Sequence, residues 1–309
     1  PGHQLLLEGR GYEAVRLSVV GSFFGLCSAV IVFPLSLLFY PLFFTLTNNK
    51  VHWLLIAVMV FFIIREKRKM AAITVVALAG ILGIFALEKV EEPLLPLFSG
   101  IFGMSMILHS MFTKTIIPPQ TTEVQNLPNR WMRKVIVGSA LGGIMNMFPA
   151  VGPAQAATIG SMMRSTKKGY LVMISAINTS SMLLALATLY TINRARNGSL
   201  EALNKFIEID GVSITLFLAA ILIASPLIIF ITLTLAKATA KVINHISYQK
   251  SGVAVMMIIL SAVVLLSGVK GLLVLLTGTV IGFLTLFSGI NRSHAMSCLM
   301  VPVVLARIS

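Results

Sequence analysis

Residues 134–163 read KVIVGSALGGIMNMFPAVGPAQAATIGSMM, and the architecture of the chain turns on them. An apolar helix carrying Gly138, Gly142 and Gly143 stops at Pro149-Ala150-Val151-Gly152-Pro153, and a second apolar helix runs from Ala154 to Met163. Neither arm reaches the roughly 20 apolar residues needed to cross a bilayer. Lys134 flanks the first arm, and Arg164, Lys167 and Lys168 follow the second. The pattern therefore predicts a re-entrant Pro-Gly hairpin over 134–163 whose two ends share one membrane face. Backbone outside a helix survives at that depth only inside protein or beside a water-filled cavity. The break is the first candidate for a substrate site, as where transporter helices are interrupted near the midplane.

The rest of the composition agrees with a membrane protein. Hydrophobic residues make up 57% of the chain, charged residues 11%, and the mean hydropathy is +0.95. The ten-residue alternation of an outer-membrane barrel is missing, so an all-α polytopic membrane protein in the cell membrane is expected. The net charge of +14 is read as Lys and Arg held in cytoplasmic loops, not as a nucleic-acid surface. Cys27 and Cys298 lie in separate apolar segments and carry no disulfide or metal pattern. The chain opens at Pro1 without a charged-then-apolar leader and is read as lacking its true start.

Outward from the hairpin, residues 14–46 read as one span kinked at Pro34 and Pro41, followed by an interfacial turn. Spans at 51–64, 70–87 and 93–112 follow, and the basic run Arg65-Glu66-Lys67-Arg68-Lys69 sets the orientation. The proline-containing stretch 113–133 is a polar connection. After the hairpin come spans at 170–192 and 212–236, then 253–267 and 271–284 joined by a tight turn at Lys270, and a last apolar segment over 286–306. About nine spans plus one hairpin result.

Leu97-Phe98-Ser99-Gly100-Ile101 recurs as Leu286-Phe287-Ser288-Gly289-Ile290, and Glu13-Ala14-Val15 is echoed by Glu201-Ala202-Leu203 at nearly the same spacing. An odd number of crossings separates the echoes, so the second copy is inverted. The expected organisation is an inverted-repeat secondary transporter, with residues 1–112 the remainder of a first repeat, 113–133 the connection and 134–309 the second repeat.

Gly138 and Gly142, followed by Pro149, Gly152 and Pro153, resemble the signature of the large permease subunit of tripartite tricarboxylate transporters. The opening, with Gly2, His3, Gly9, Glu13 and Ala14, is similar to the segment after that family's first Pro-Gly hairpin. The likeness is closest to its shorter, archaeal-type members. Here the break reads Phe-Pro-Ala-Val-Gly-Pro, where the bacterial pattern is nearer Pro-Gly-Leu-Gly-Pro. The resemblance implies a multi-spanning carboxylate transporter that works with a small membrane subunit and an extracytoplasmic binding protein.

The ten acidic residues all fall in loops or at their ends, which tilts the substrate towards an anion. The helix restarting after Gly152 and Pro153 would aim its positive end at a carboxylate, with Gln155 and Thr158 as neutral donors on its first turn. Asn146 before the break, and Asn178, Thr179, Ser180 and Ser181 in the next span, either hydrogen-bond helices together or bind substrate and Na+. Arg292 has the fork to pair a carboxylate, and His294 a titratable ring; both serve equally as interfacial anchors.

The motifs of metalloproteases, serine hydrolases and P-loop ATPases are missing, and a single Asp cannot make an aspartyl dyad, so no enzyme is expected. The reading is an ion-coupled secondary transporter of a small di- or tricarboxylate in the lipid bilayer. No cofactor is expected beyond Na+ as a candidate coupling ion, and a homodimer is the candidate assembly. A carrier of a lipid-linked phosphate such as polyprenyl phosphate, and a non-transporting membrane scaffold, are the alternatives.

Overall fold

The computed structural model describes residues 2–47, 50–112, 117–123, 125–148, 151–163, 165–243 and 248–308. Helices α1 (Gly2–Leu7), α2 (Gly11–Thr47), α3 (Val51–Arg65) and α4 (Lys69–Lys89) open the chain. Helices α5 (Leu94–Phe98) and α6 (Ser105–Phe112) are joined by a π-helical stretch, Ser99–Met104. Then come α7 (Trp131–Met145), α8 (Pro153–Ser161), α9 (Lys167–Ile192), α10 (Gly198–Phe206) and α11 (Gly211–Val242). The chain ends with α12 (Tyr248–Phe287), a 3-10 turn at Arg292–Met296 and α13 (Ser297–Ile308). Among the described residues there is no strand, and six helices or continuous helical runs are long and apolar enough to cross a membrane. The chain is an all-α polytopic membrane protein. It divides into two compact units, Pro1–Asn48 with Ile117–His245 and Asn49–Ile116 with Ile246–Ser309.

In the first unit α9 is the post on which the other helices lean; 72% of its most apolar window is buried. Small residues let neighbouring backbones reach it, as expected where lipid offers no hydrophobic drive between helices. A Cβ on Gly21 of α2 would stand 2.2 Å from the Val172 carbonyl oxygen, and one on Gly142 of α7 would stand 2.6 Å from that of Ile177. Gly138 lies against Met173 and Ala176, Gly142 against Ile177 and Ser180, so α7 rises beside α9 in the same direction. Its foot is level with Gly169, where Lys134 lies, and its end is level with Ser181, to which Asn146 is hydrogen-bonded. Helix α8 also lies against α9: Gly160 meets Met173, and the Tyr170 hydroxyl donates to the Ala157 carbonyl at 3.0 Å.

The lower ends of α2 and α9 are tied by charge. Glu13, only 3% exposed, accepts from Arg10 Nε at 2.7 Å and pairs with Lys168 Nζ at 2.7 Å. The connection is ordered against this knot. Gln120 accepts from the Gly11 N–H and donates to the Leu6 carbonyl, while Gln125 accepts from Lys168.

In the second unit α4 packs on α13, and the α5–α6 run packs on α12, again through glycines. Gly83 abuts the Cys298 backbone, and Gly100 abuts Leu275. At Gly268 (φ 61, ψ −162) helix α12 breaks into two arms, 248–267 and 269–287. Gly252 lies by Ile107 and Gly103 by Ile259 on the first arm, whereas Gly278 lies by Ile101 and Gly282 by Ser105 on the second, so the arms run oppositely. This is the tight turn expected near Lys270. Glu66, between α3 and α4, accepts from the Asn291 N–H at 3.0 Å and lies 3.2 Å from His294 Nε2, joining that turn to the 3-10 segment.

Two readings of the sequence are corrected. Residues 14–46 do not end in an interfacial turn but are part of one 37-residue helix running past both prolines. The last segment does not span as expected over 286–306. Gly289 at φ 61 and the 3-10 turn interrupt it, leaving α13 with 12 residues. The count of about nine spans falls accordingly. The repeated Leu-Phe-Ser-Gly-Ile words also differ in conformation, the first entering the π-helical stretch and the second ending α12.

Two predictions follow from these contacts. The Gly268 backbone lies in a region essentially reserved for glycine, so Gly268→Ala should cost about 1–3 kcal/mol although nothing within 4 Å meets the added Cβ. Gly198→Ala, equally open but without positive φ, should be neutral in the same thermal melt. Burial tends to raise the Glu66 pKa, but hydrogen bonds from Asn291, Lys67 and His294 outweigh it and hold the carboxyl below its ordinary 4.5. Its stabilisation is therefore complete above that value and lost as pH falls through the lowered one. Melts of Glu66→Gln should show a flatter acid limb than wild type between about pH 5 and 3.

Candidate functional site

The interruption between α7 and α8 is built from polar groups that close on one another. Asn146, 5% exposed, donates from Nδ2 to the Ser181 carbonyl at 2.7 Å, and its Oδ1 accepts from the Ser181 hydroxyl at 3.2 Å. Gly152, in extended conformation, caps α8 and donates its N–H to Gln155 Oε1 at 2.9 Å, with Pro153 at the first helical position. In this reciprocal cap the Gly152 N–H and the Gln155 N–H are both used within the turn. The donor left over is the side-chain amide of Gln155, which is 0% exposed and has no partner for Nε2. Thr158, 7% exposed, spends its proton on the Ala154 carbonyl at 3.0 Å. Pro149 lies outside the described residues.

The polar cluster of α9 separates by face. Ser180 is wholly buried beside Gly142 and donates to Ile177 O, and Ser181 holds Asn146. Asn178 is exposed, and Thr179 lines a different space, an apolar groove of about 1020 Å³ bordered by α1, α2, α9 and α11. Thus Ser180 and Ser181 face α7, whereas Asn178 is exposed and Thr179 faces the groove. Arg292 belongs to the second unit, half-buried with an Nη2 that has no partner.

Residues that sequence reasoning passed over complete the site. Arg196, in the loop after α9, turns back onto the end of α7: Nη1 donates to the Phe148 carbonyl at 2.9 Å and Nη2 to that of Asn146. The Tyr40 hydroxyl of α2 donates to the Gly143 carbonyl at 3.0 Å. Beside it a cleft of about 270 Å³ opens between α2 and α7, lined by Ser28, Ser36, Tyr40, Ser139, Gly143 and Met147 among others. Ser139 is 6% exposed and its hydroxyl has no partner. In the sequence Arg196 looked like a loop cation. Its one distinguishing sign was a run from 193 to 200 that holds two arginines and no acid. Chemically, the site offers uncharged and cationic donors with no carboxylate among its named residues, a set suited to oxygen acceptors.

Comparison with known proteins agrees with this picture. A protein of Methanocaldococcus jannaschii, itself uncharacterised, is 26% identical over 320 residues, covering 99% of this chain and 79% of its own length. No solved structure matches. The profile of the tripartite tricarboxylate transporter TctA family, a family of transporters and not of enzymes, matches residues 1–297. With that match running over nearly all of its length, the chain belongs to the TctA family of tripartite tricarboxylate transporters.

Proposed function

We propose that this protein is the permease of an ion-coupled secondary transporter in the cell membrane that moves a small di- or tricarboxylate by alternating access. On this reading 134–163 is a re-entrant hairpin, its tip forms the substrate site, and a Na+ or H+ gradient drives transport. A small membrane subunit and an extracytoplasmic binding protein are its partners, in keeping with the tripartite family. In a chain of inverted halves, 1–112 and 134–309, the motion is displacement of the hairpin-bearing bundle against a scaffold made from the longer spans. The exchanged packing of α4 on α13 and of α5–α6 on α12 is consistent with such halves.

One observation carries the reading: a fully buried, unpartnered amide nitrogen on Gln155 at the start of α8, whose Oε1 is already taken by the Gly152 N–H. Native interiors rarely leave such a donor unsatisfied, and a bound acceptor resolves it. Depth supports the same view. Helix α9 has 26 residues, about 39 Å, against a hydrocarbon core of about 30 Å, and Asn146 is anchored near its middle at Ser181.

The 1020 Å³ groove favours a second reading, a carrier of lipid-linked phosphate, since its lining is almost wholly apolar. The test is a thermal-shift and proteoliposome-uptake series with citrate, succinate and a polyprenyl phosphate. Carboxylates should stabilise wild type, and Gln155→Leu should cut binding by about tenfold or more while Met163→Ala leaves it unchanged. Stabilisation by the polyprenyl phosphate alone, or full uptake by Gln155→Leu, would count against the carboxylate proposal.

A further inference from the structure

We infer that Arg196 is the counter-charge for the transported anion: it faces the break with a guanidinium that the protein itself leaves unbalanced. The inference rests on the proposed transport reading and adds the group that selects for negative charge. Two arginines follow Asn193, whose left-handed backbone (φ 50) turns the chain out of α9. They are used differently. Arg194 lies over the Phe44 ring, 4.6 Å from its centroid. Arg196 folds in, placing two N–H groups on the Asn146 and Phe148 carbonyls.

Capping the last carbonyls of α7 is a sufficient structural use for those two donors, because the C-terminal end of a helix carries partial negative charge. It does not account for the rest of the group. A guanidinium has five N–H donors, and Nε of Arg196 is sealed from solvent without a partner. Among the described residues no carboxylate pairs with it: Glu8, Glu13 and Glu66 are held by Arg10, Lys167, Lys168 and His294. Burial lowers its pKa to about 10, with Arg194 adding to the shift, yet at neutral pH the group keeps its proton. A charge so placed is costly until an anion meets it.

The edge left over has the right shape. With one N–H of each Nη engaged, Nε–H and the adjacent Nη–H can still take one carboxylate side-on through two parallel hydrogen bonds. Two more buried groups of the same unit lack partners, the Gln155 amide nitrogen at the start of α8 and the Ser139 hydroxyl on α7. The cleft lined by Ser139 reaches Gly143 and Met147, and the carbonyls that Arg196 grips belong to the residues on either side of Met147. All three groups can donate to a polyanionic oxygen ligand. None of them calls for a cation.

The test uses the full chain in nanodiscs, with citrate and succinate as probes, and compares Arg196→Gln, Arg196→Lys and Arg194→Gln with wild type. Citrate affinity should fall by about tenfold or more in Arg196→Gln and by a smaller factor in Arg196→Lys, which keeps the charge but loses the fork. Arg194→Gln should stay within about twofold. If Arg196 only caps α7, the basal melting temperature falls in Arg196→Gln while citrate affinity is unchanged, and the inference is overturned. Should Arg196→Gln fail to fold, undiminished affinity in Arg196→Lys overturns it as well. Binding lost in Gln155→Leu but retained in Arg196→Gln removes the counter-charge and leaves the transport reading standing. A wild type that binds neither probe removes both.

Discussion

Backbone contact along α9 is the constraint on which the first unit depends. In lipid, apolar side chains gain little by meeting one another, so helices associate where small residues bring backbones together. Gly21 and Gly25 of α2 and Gly138 and Gly142 of α7 place those helices against one post, close enough that a single Cβ would collide with a carbonyl. Because α7 is held in this way, its end is fixed opposite Ser181, and the Asn146 side chain locks it there with two hydrogen bonds. The break that follows is a placed feature of the fold.

Placement creates the electrostatic character of the site. Carbonyls at the end of α7 would be left without partners in an apolar setting, and Arg196 satisfies two of them. The turn at Gly152 and Gln155 satisfies itself. What remains are donors in excess: a guanidinium edge, an amide and a hydroxyl. A family of tricarboxylate transporters and a surplus of buried donors are independent observations, one from sequence likeness and one from local hydrogen bonding, and they point to ligands of the same chemistry.

The second unit uses the same devices for other ends. Glycines again admit close backbones, at Gly83, Gly100 and Gly282, while Gly268 supplies a positive φ that folds one long apolar run into two antiparallel arms. Its polar link, Glu66 with the Asn291 N–H and His294, joins two turns far apart in sequence. His294 and Arg292 were expected as substrate or proton groups or as anchors. His294 is committed to Glu66, and Arg292 keeps one nitrogen without a partner.

The amino-acid sequence by itself determined the helical membrane class, the interruption at 149–153, the tight turn before Lys270 and the family likeness. All of these are local consequences of segment length, glycine, proline and charge, which the bilayer reads directly. Tertiary structure alone decided that α2 continues through Pro34 and Pro41, that the final segment stops short, and that Ser180 and Ser181 face α7 while Asn178 is exposed and Thr179 lines a separate groove. It also decided the role of Arg196, whose partners lie 48 and 50 residues earlier in the chain. Periodicity reports which face a residue occupies along its own helix. Which carbonyl a loop arginine finds depends on what the rest of the fold leaves unsatisfied, and that is settled only when the helices have packed.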